Sequence, residues 1–433
     1  MNAIFKTWFP LSLTWLLMAA EGPIIASFIA RLEGSKENLA AYGVAFSMGL
    51  LMEAPVVMIM SAAVKLVKDS VSYFSLRNYT FLLCLAVSAV YGISMIPSVF
   101  KLWTQDFMGL TSNVSELTFL AMAMLCPWPG MIGYRRFYQG ILIRMNRSRY
   151  VALGTWFRLV TIIAAMKLCA LTNLPGAAQG CIALAAAVTL EAIIVRWMSR
   201  SSIRSLLKQT KRNDPLPFKT ITHFYTPLVW TALLGLAIQP IVTLGAGQAK
   251  FPLESLAVLP VVSAFVFVFR GIALSYQEVV ISMMGRHEKY YSELIKFAYI
   301  MAIGMAVIYL GITFSPLVYY ILSNLLGLSD ELAGFAVWPL RILAPVPILT
   351  LLYSWQKSML IHWNQTAPIT SASITELASV GVFLVVLVKG LDLSGAIAAA
   401  FAMMLSRLLA TIYLQFTMIK QTRNQLVSTK KTV

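Results

Sequence analysis

The sequence predicts an all-α integral membrane protein: twelve transmembrane helices in two parallel six-helix lobes around a central cleft. Three observations predict it. First, 59% of the 433 residues are hydrophobic and only 12% are charged, where an ordinary soluble protein has about 25% charged. The mean hydropathy is +0.77. Second, long continuous apolar runs recur twelve times. Third, the second half of the chain repeats the first at a near-constant offset. A soluble core stops growing at roughly 250–300 residues, so this much apolar surface needs lipid as part of its solvent. The composition excludes a soluble globular enzyme, a disordered chain and a small disulfide scaffold.

Spanning the hydrocarbon layer of ~30 Å takes about 20 helical residues. The runs cover 8–31, 38–63, 79–100, 116–142, 150–172, 177–197, 220–245, 254–283, 293–318, 332–361, 368–388 and 391–418. They are continuously apolar and lack a period of two, which indicates helices rather than strands. Several exceed the minimum length and imply tilt or extension beyond the bilayer. Lys6 precedes an apolar run that contains Glu21 and ends in no small-residue cleavage site. That run reads as a retained first span, not a signal peptide.

The loops give orientation. Lys+Arg 34 against Asp+Glu 17 leaves a net charge of +17. In a soluble protein this would suggest nucleic acid; here cytoplasmic loops account for most of it. One side carries nineteen basic residues, in six groups from Lys6 to Lys431; the other carries Arg31, Lys36, Lys101, Lys250 and Lys389. The positive-inside rule therefore places both termini in the cytoplasm. The compact loops favour the plasma membrane, a bacterial inner membrane in particular. The longest polar connector, 199–219, holds the turn signal Asn213-Asp214-Pro215. It separates an N-lobe (1–198) from a C-lobe (220–418), with a cytoplasmic tail at 419–433.

The halves resemble each other. At an offset of 217, Pro10-Leu11 falls on Pro227-Leu228, Pro23-Ile24 on Pro240-Ile241, and Glu37-Asn38-Leu39-Ala40 on Glu254-Ser255-Leu256-Ala257. At 218, Cys126-Pro127-Trp128-Pro129 falls on Ala344-Pro345-Val346-Pro347, Leu142-Ile143 on Leu360-Ile361, and Asn146 on Asn364. Six spans is an even number, so both halves enter from the same side and the repeats are parallel. Two like lobes around a cleft suit alternating access. The four cysteines lie in apolar runs without C-x-x-C spacing, so neither metal nor disulfide chemistry is indicated. No nucleophile–base constellation or phosphate loop points to an enzyme, and no cofactor is implied.

An ionisable group near the bilayer centre costs at least ~2.5–3.5 kcal/mol and persists where it meets water or a partner. Glu21, Glu53, Arg158, Arg270, Arg341 and Glu376 lie well inside their runs; Arg135, Arg136, Glu191, Glu278 and Lys357 lie nearer the cytoplasmic ends. Glu21 stands beside Gly22-Pro23, where proline frees a carbonyl. Such a carboxylate can hold a proton or a sodium ion, or simply be a protonated acid bonded to a neighbouring helix. Glu53 aligns with Arg270 and Arg158 with Glu376, so equivalent positions carry opposite signs. Glu53 and Arg270 are candidates for a gate, with Glu53 also a candidate for ion coupling; alternatively each charge has a private partner within its lobe. The guanidiniums of Arg270, Arg341, Arg158, Arg135 and Arg136 are suited to bidentate binding of carboxylate or phosphate. Snorkelling to headgroups is the competing account of Arg135 and Arg136. Glu376, Glu278 and Lys357 are secondary candidates. The Pro-x-Pro breaks in the fourth and tenth spans fix bends.

The start of each half resembles the multidrug and toxin extrusion (MATE) superfamily: a Pro-Leu opening, a mid-helix break, then a small-residue second helix beginning Leu39-Ala40-Ala41-Tyr42-Gly43-Val44-Ala45-Phe46-Ser47. That segment, Pro339-Leu340-Arg341-Ile342 with Pro345-Val346-Pro347, and Gly140-Ile141-Leu142-Ile143-Arg144 are similar to the progressive ankylosis protein family, a branch of the same fold. The major facilitator fold ranks second, because Lys65-Leu66-Val67-Lys68-Asp69-Ser70 lacks its Gly-rich loop. The resemblance implies a secondary active exporter of small organic or phosphate-bearing anions (citrate, pyrophosphate or nucleotides), working as a monomer in the bilayer with sodium or proton coupling. A sodium- or proton-coupled multidrug antiporter and a lipid-linked glycan flippase are the alternatives. The cation antiporters' acidic residue in span seven is missing: His223–Gly247 offers only Gln239, a further candidate substrate contact. In span ten Arg341 replaces an acid.

Overall fold

The computed structural model describes residues 1–145, 147, 149–208, 216–284, 290–363, 365 and 367–431, excluding the side chains of Asn2 and residues 421–431. Among the described residues, twelve helices are long and apolar enough to cross a membrane: Ala3–Ala30, Ser35–Leu66, Ser70–Ser94, Ser112–Arg144, Arg149–Cys169, Gly176–Met198, Phe218–Gly247, Pro252–Met284, Tyr291–Thr313, Asp330–His362, Ala367–Gly390 and Gly395–Lys420. They correspond one for one to the twelve apolar runs. No strand forms among the described residues beyond a single bridge between Lys250 and Ser394. The matched Asn146 and Asn364, the turn signal Asn213-Asp214-Pro215 and the basic residues Lys211, Arg212, Arg286 and Lys289 lie outside the described residues.

The ends of the spans differ from the apolar runs where a polar cap starts the helix. The third span begins at Ser70, not at 79. Asp69 Oδ1 accepts a hydrogen bond from the Ser72 amide at 2.8 Å, and Ser72 Oγ accepts one from the Asp69 amide at 3.0 Å. This reciprocal capping satisfies donors that the first turn cannot. Hydropathy is blind to it because the capped turn is polar.

The internal repeat governs the helix breaks. Span one breaks at Ala20, giving Asn2–Ala19 and Glu21–Ala30; span seven breaks at Ala237, giving Phe218–Leu236 and Ile238–Gly247. Pro23 and Pro240 lack the amides that would continue each ladder. In spans four and ten the Pro-x-Pro segments end one helix and begin the next, at Trp128–Arg144 and Val346–His362. Pro127 donates no hydrogen bond, so the Cys126 amide turns back to the Ala123 carbonyl; Ala344 turns likewise to Arg341. The bypassed carbonyls of Met122 and Leu340 are taken by tyrosine hydroxyls: Tyr91 donates to Met122 O at 2.6 Å and Tyr309 to Leu340 O at 2.9 Å. Both tyrosines are buried, and their positions are related by the same offset as the prolines. A lipid-embedded carbonyl has no water to bond, so each break is paired with its own donor. Gly109 and Gly327, again equivalent, adopt φ of 72° and 76°, a region open to glycine at no steric cost.

By internal contacts the chain forms two compact units, Met1–Pro23 with Gln248–Val433, and Ile24–Gly247. Repeat halves and compact units are thus different partitions. The expected boundary at 199–219 falls between the sequence repeats, whereas span seven belongs to the same compact unit as spans two to six. Ile221 and Tyr225 of span seven sit in a buried cluster with Ile59, Leu76, Phe137, Ile141 and Val195. The Tyr225 hydroxyl donates to the Pro55 carbonyl at 2.6 Å, next to the bend that interrupts span two at Met58. In the other unit, Ile4 and Trp8 of span one pack with Tyr276, Val280, Phe297 and Met359.

Small residues set the closest helix approaches. A Cβ on Gly140 would lie 2.5 Å from Ala63 Cβ and 2.7 Å from the Met60 carbonyl oxygen. That oxygen is backbone and cannot swing away. Gly140→Ala is expected to cost about 1–3 kcal/mol through overpacking, seen as a lower melting temperature in detergent. Gly381→Ala, which meets nothing within 4 Å, is expected to hold or raise it, since alanine is the better helix former. Equal melting of the two variants would contradict this packing.

Candidate functional site

Among the described residues, most of the intramembrane charges gather in two clusters, one in each unit. In the Ile24–Gly247 unit the centre is Glu191 of span six, only 1% exposed. Arg135 of span four forms an ion pair with Glu191 Oε2, and Arg158 of span five approaches the same oxygen at 3.6 Å. Gln139, one turn after Arg135, donates through Nε2 to Glu191 Oε1 at 3.0 Å. Both carboxylate oxygens are therefore occupied. Arg136 lies beside this centre and contacts Met60 Sδ at 3.8 Å. Glu53 of span two is buried within electrostatic reach of Arg136, Arg135 and Arg158. Three guanidiniums thus meet two carboxylates.

The cluster in the other unit has the opposite centre. Arg407 of span twelve pairs with Glu376 of span eleven at 2.8 Å and lies over the Tyr353 ring, 4.9 Å from its centroid. Lys357 of span ten lies 5.6 Å from the centroid of the same ring. Arg270 of span eight is within electrostatic reach of Arg407 and Glu376. Its Nε is buried without a hydrogen-bond partner among the described residues. Three cations here meet one carboxylate.

The helices explain the placement. Spans five and six pair Arg158 with Glu191, while spans eleven and twelve pair Glu376 with Arg407: equivalent helices in each half, with the signs exchanged, although Arg407 stands about one turn before the position that matches Glu191. At the 218 offset, Arg135 corresponds to Tyr353 and Gln139 to Lys357, so the residues that grip Glu191 have counterparts around Arg407. A lone ion at this depth is costly, and each of these pairs offsets that cost by Coulomb attraction and hydrogen bonding.

The structure therefore brings Arg135, Arg136, Arg158 and Glu53 together, and separately Arg270, Glu376 and Lys357. The two members of the expected gate, Glu53 and Arg270, belong to different units. The remaining candidates are engaged elsewhere or stand at helix breaks. Arg341 Nε donates to the Thr313 carbonyl at 3.1 Å at the end of span nine, with its guanidinium over Phe314 and Trp338. Glu278 is exposed and accepts a hydrogen bond from Trp15 Nε1 at 3.1 Å. Glu21 is the first residue after the Ala20 break, and Gln239 the second after the Ala237 break. Sequence reasoning missed Arg407, although an arginine within an otherwise apolar last span was signal enough. It listed Glu191 only among the charges nearer the cytoplasmic ends; the structure makes it the hub of its cluster.

No protein-family model matches the chain, and no curated protein matches it. Solved structures do. An inward-facing multidrug resistance MATE family transporter of the MOP superfamily is 16% identical, with TM-score 0.73 over 96% of this chain and 99% of that one. The lipid II flippase MurJ, in an inward closed conformation, is 17% identical, with TM-score 0.74 over 95% and 87%. A MOP superfamily transporter from Pyrococcus furiosus, described as having a binding pocket of reverse polarity that suggests a different function, is 15% identical, with TM-score 0.60 over 96% of each chain. At these identities the likeness is one of fold: this chain has the twelve-span fold of the MATE family transporters of the MOP superfamily.

Proposed function

We propose that this protein is a secondary active transporter that moves a small carboxylate- or phosphate-bearing anion across its membrane by alternating access. The observation that carries the reading is the surplus of buried and half-buried basic groups inside the spans: three against two in one cluster and three against one in the other. Such a surplus attracts anions and repels cations, which disfavours export of cationic drugs. The fold agrees with a transporter, and one structure of that fold is itself described by a pocket of reverse polarity. Glu21, at a proline break, is the candidate for sodium or proton coupling. The finer likeness to the progressive ankylosis family, the assignment to a bacterial inner membrane and the cytoplasmic termini rest on the sequence motifs and loop charges alone.

The test is uptake into proteoliposomes of purified protein. Citrate, pyrophosphate and ATP are offered alongside ethidium under imposed sodium or proton gradients. The expected result is gradient-driven movement of at least one anion and none of ethidium. In Glu21→Gln, anion exchange is expected to continue while gradient-driven accumulation stops. Ethidium transport without anion transport would overturn the reading. A second reading is favoured by the likeness to MurJ: the basic groups would bind the phosphates of a lipid-linked substrate. Movement of a fluorescent lipid-linked pyrophosphate between leaflets, without uptake of any soluble anion, would select it.

A further inference from the structure

The two clusters are not equivalent, and the difference locates the ligand. In the Ile24–Gly247 unit an internal carboxylate already fills the role of an anion. Glu191 stands fifteen residues after Gly176, the start of its helix; fifteen residues after Gly395, the start of span twelve, stands Ala410. Ala410 is fully buried and packs with Tyr353. The unit made of Met1–Pro23 and Gln248–Val433 thus carries three cations of its own and lacks the carboxylate that Glu191 supplies in the other unit. Glu376 is committed to Arg407 at 2.8 Å. Lys357 and Arg270 have no ion pair among the described residues, and the buried Nε of Arg270 has no hydrogen-bond acceptor there.

From this we infer that Arg270, Lys357 and Arg407 form a binding site for one dianion, carboxylate or phosphate in kind, and that the Glu191 cluster is structural rather than a second substrate site. The inference deepens the anion-transport reading and rests on it for its biological meaning. The charge count sets the ligand class. Arg270, Lys357 and Arg407 against Glu376 leave a surplus of two, which one dianion neutralises and chloride does not. Arg270 supplies a planar fork for two ligand oxygens, and Lys357 a point charge held over the Tyr353 face. Arg407, already positioned by Glu376 and Tyr353, contributes its remaining donors. Glu376 competes with the ligand for Arg407, so removing its charge should strengthen binding rather than weaken it. A merely structural role for the cluster does not produce that sign.

The experiment is thermal melting of the purified full-length protein in detergent, titrated with sulfate and with malonate at constant ionic strength. Chloride is the monovalent comparison. The parent is expected to melt at higher temperature with either dianion and not with chloride. Arg270→Gln and Lys357→Gln are each expected to raise the apparent dissociation constant at least tenfold. Lys250→Gln, at an exposed pair with Asp392, is expected to leave it unchanged. Glu376→Gln is expected to melt lower without ligand and to gain more from sulfate than the parent does. An equal or smaller gain in Glu376→Gln, or unchanged dianion binding in both Arg270→Gln and Lys357→Gln, would overturn the site. If the parent transports anions while those two variants do so equally well, the site falls and the transport function stands. If dianions bind the parent and not these variants, yet no anion is transported, the site stands and the transport reading falls.

Discussion

Glu191→Gln is expected to unfold most of its unit's charged core and to lower the melting temperature of the whole protein more than any uncharged substitution at a comparable depth. The side chain is 1% exposed and receives Arg135, Arg158 and Gln139. Removing its charge leaves three guanidiniums in a low-dielectric interior with Glu53 as the one remaining carboxylate of the cluster. Breaking a buried ion pair from one side costs about 3–5 kcal/mol, because the remaining charge keeps its desolvation penalty and loses its attraction. Glu191→Gln is nearly the same size, so a fall in stability reports charge rather than volume. The paired variant Glu191→Gln with Arg135→Gln removes one charge of each sign. It is expected to recover a clear fraction of the loss, and a double-mutant cycle measures the coupling directly. Melting in detergent and yield from the membrane are the readouts. A Glu191→Gln protein that melts within about 2 °C of the parent, where 1 kcal/mol moves the melting point of a large domain by roughly 2–4 °C, would show that the arginines find other partners.

The architecture was legible because lipid imposes simple rules. A span must be apolar, about 20 residues long and internally hydrogen bonded, so runs such as 254–283 reveal themselves. Proline cannot donate a backbone hydrogen bond, so Pro23, Pro127, Pro240 and Pro345 marked their breaks. What the sequence could not display was the partner that makes each break tolerable. Tyr91 and Tyr309 look like ordinary aromatic residues until their hydroxyls are seen on the carbonyls of Met122 and Leu340. Both stand at the offset of 218, and the repeat could have singled them out.

The site was half legible, for a related reason. Opposite signs at Glu53 and Arg270, and at Arg158 and Glu376, are visible in a repeat alignment. Alignment pairs residues across halves, however, whereas side chains pair with whatever packs beside them. Arg158 therefore meets Glu191 of the adjacent helix, and Glu376 meets Arg407, partners no offset predicts. Arg341 shows the converse. Its depth in the sequence suggested a substrate contact; the structure shows its Nε on the Thr313 carbonyl, one of the last carbonyls of span nine, which no following helical amide satisfies. The partition into units was also beyond the alignment. Span seven belongs by sequence to the second repeat, but its buried Ile221 and Tyr225 face residues of spans two to four.

Arg407→Ala is expected to lose about 3–5 kcal/mol, again because it strands a buried charge, here Glu376. Exchanging the two residues, Glu376→Arg with Arg407→Glu, is expected to recover more than half of that loss. The reason lies within the molecule: the equivalent helices, spans five and six, already hold a pair of reversed order, Arg158 with the carboxylate of Glu191, 3.6 Å apart, about one turn from the level of Arg407. A helix pair of this kind therefore carries either polarity. The exchange also carries a consequence for ligand binding. It moves a carboxylate to span twelve, beside the Tyr353 ring that Lys357 covers. The net charge of the cluster does not change, but its centre becomes acidic, as in the other unit. That internal carboxylate would satisfy Lys357 and Arg270 as Glu191 satisfies Arg135 and Arg158. The exchanged protein should therefore melt close to the parent and gain little from sulfate. Stability restored together with an undiminished sulfate response would mean that the carboxylate at position 407 does not substitute for the ligand, and the dianion would have to be bound by Arg270 and Lys357 without help from span twelve.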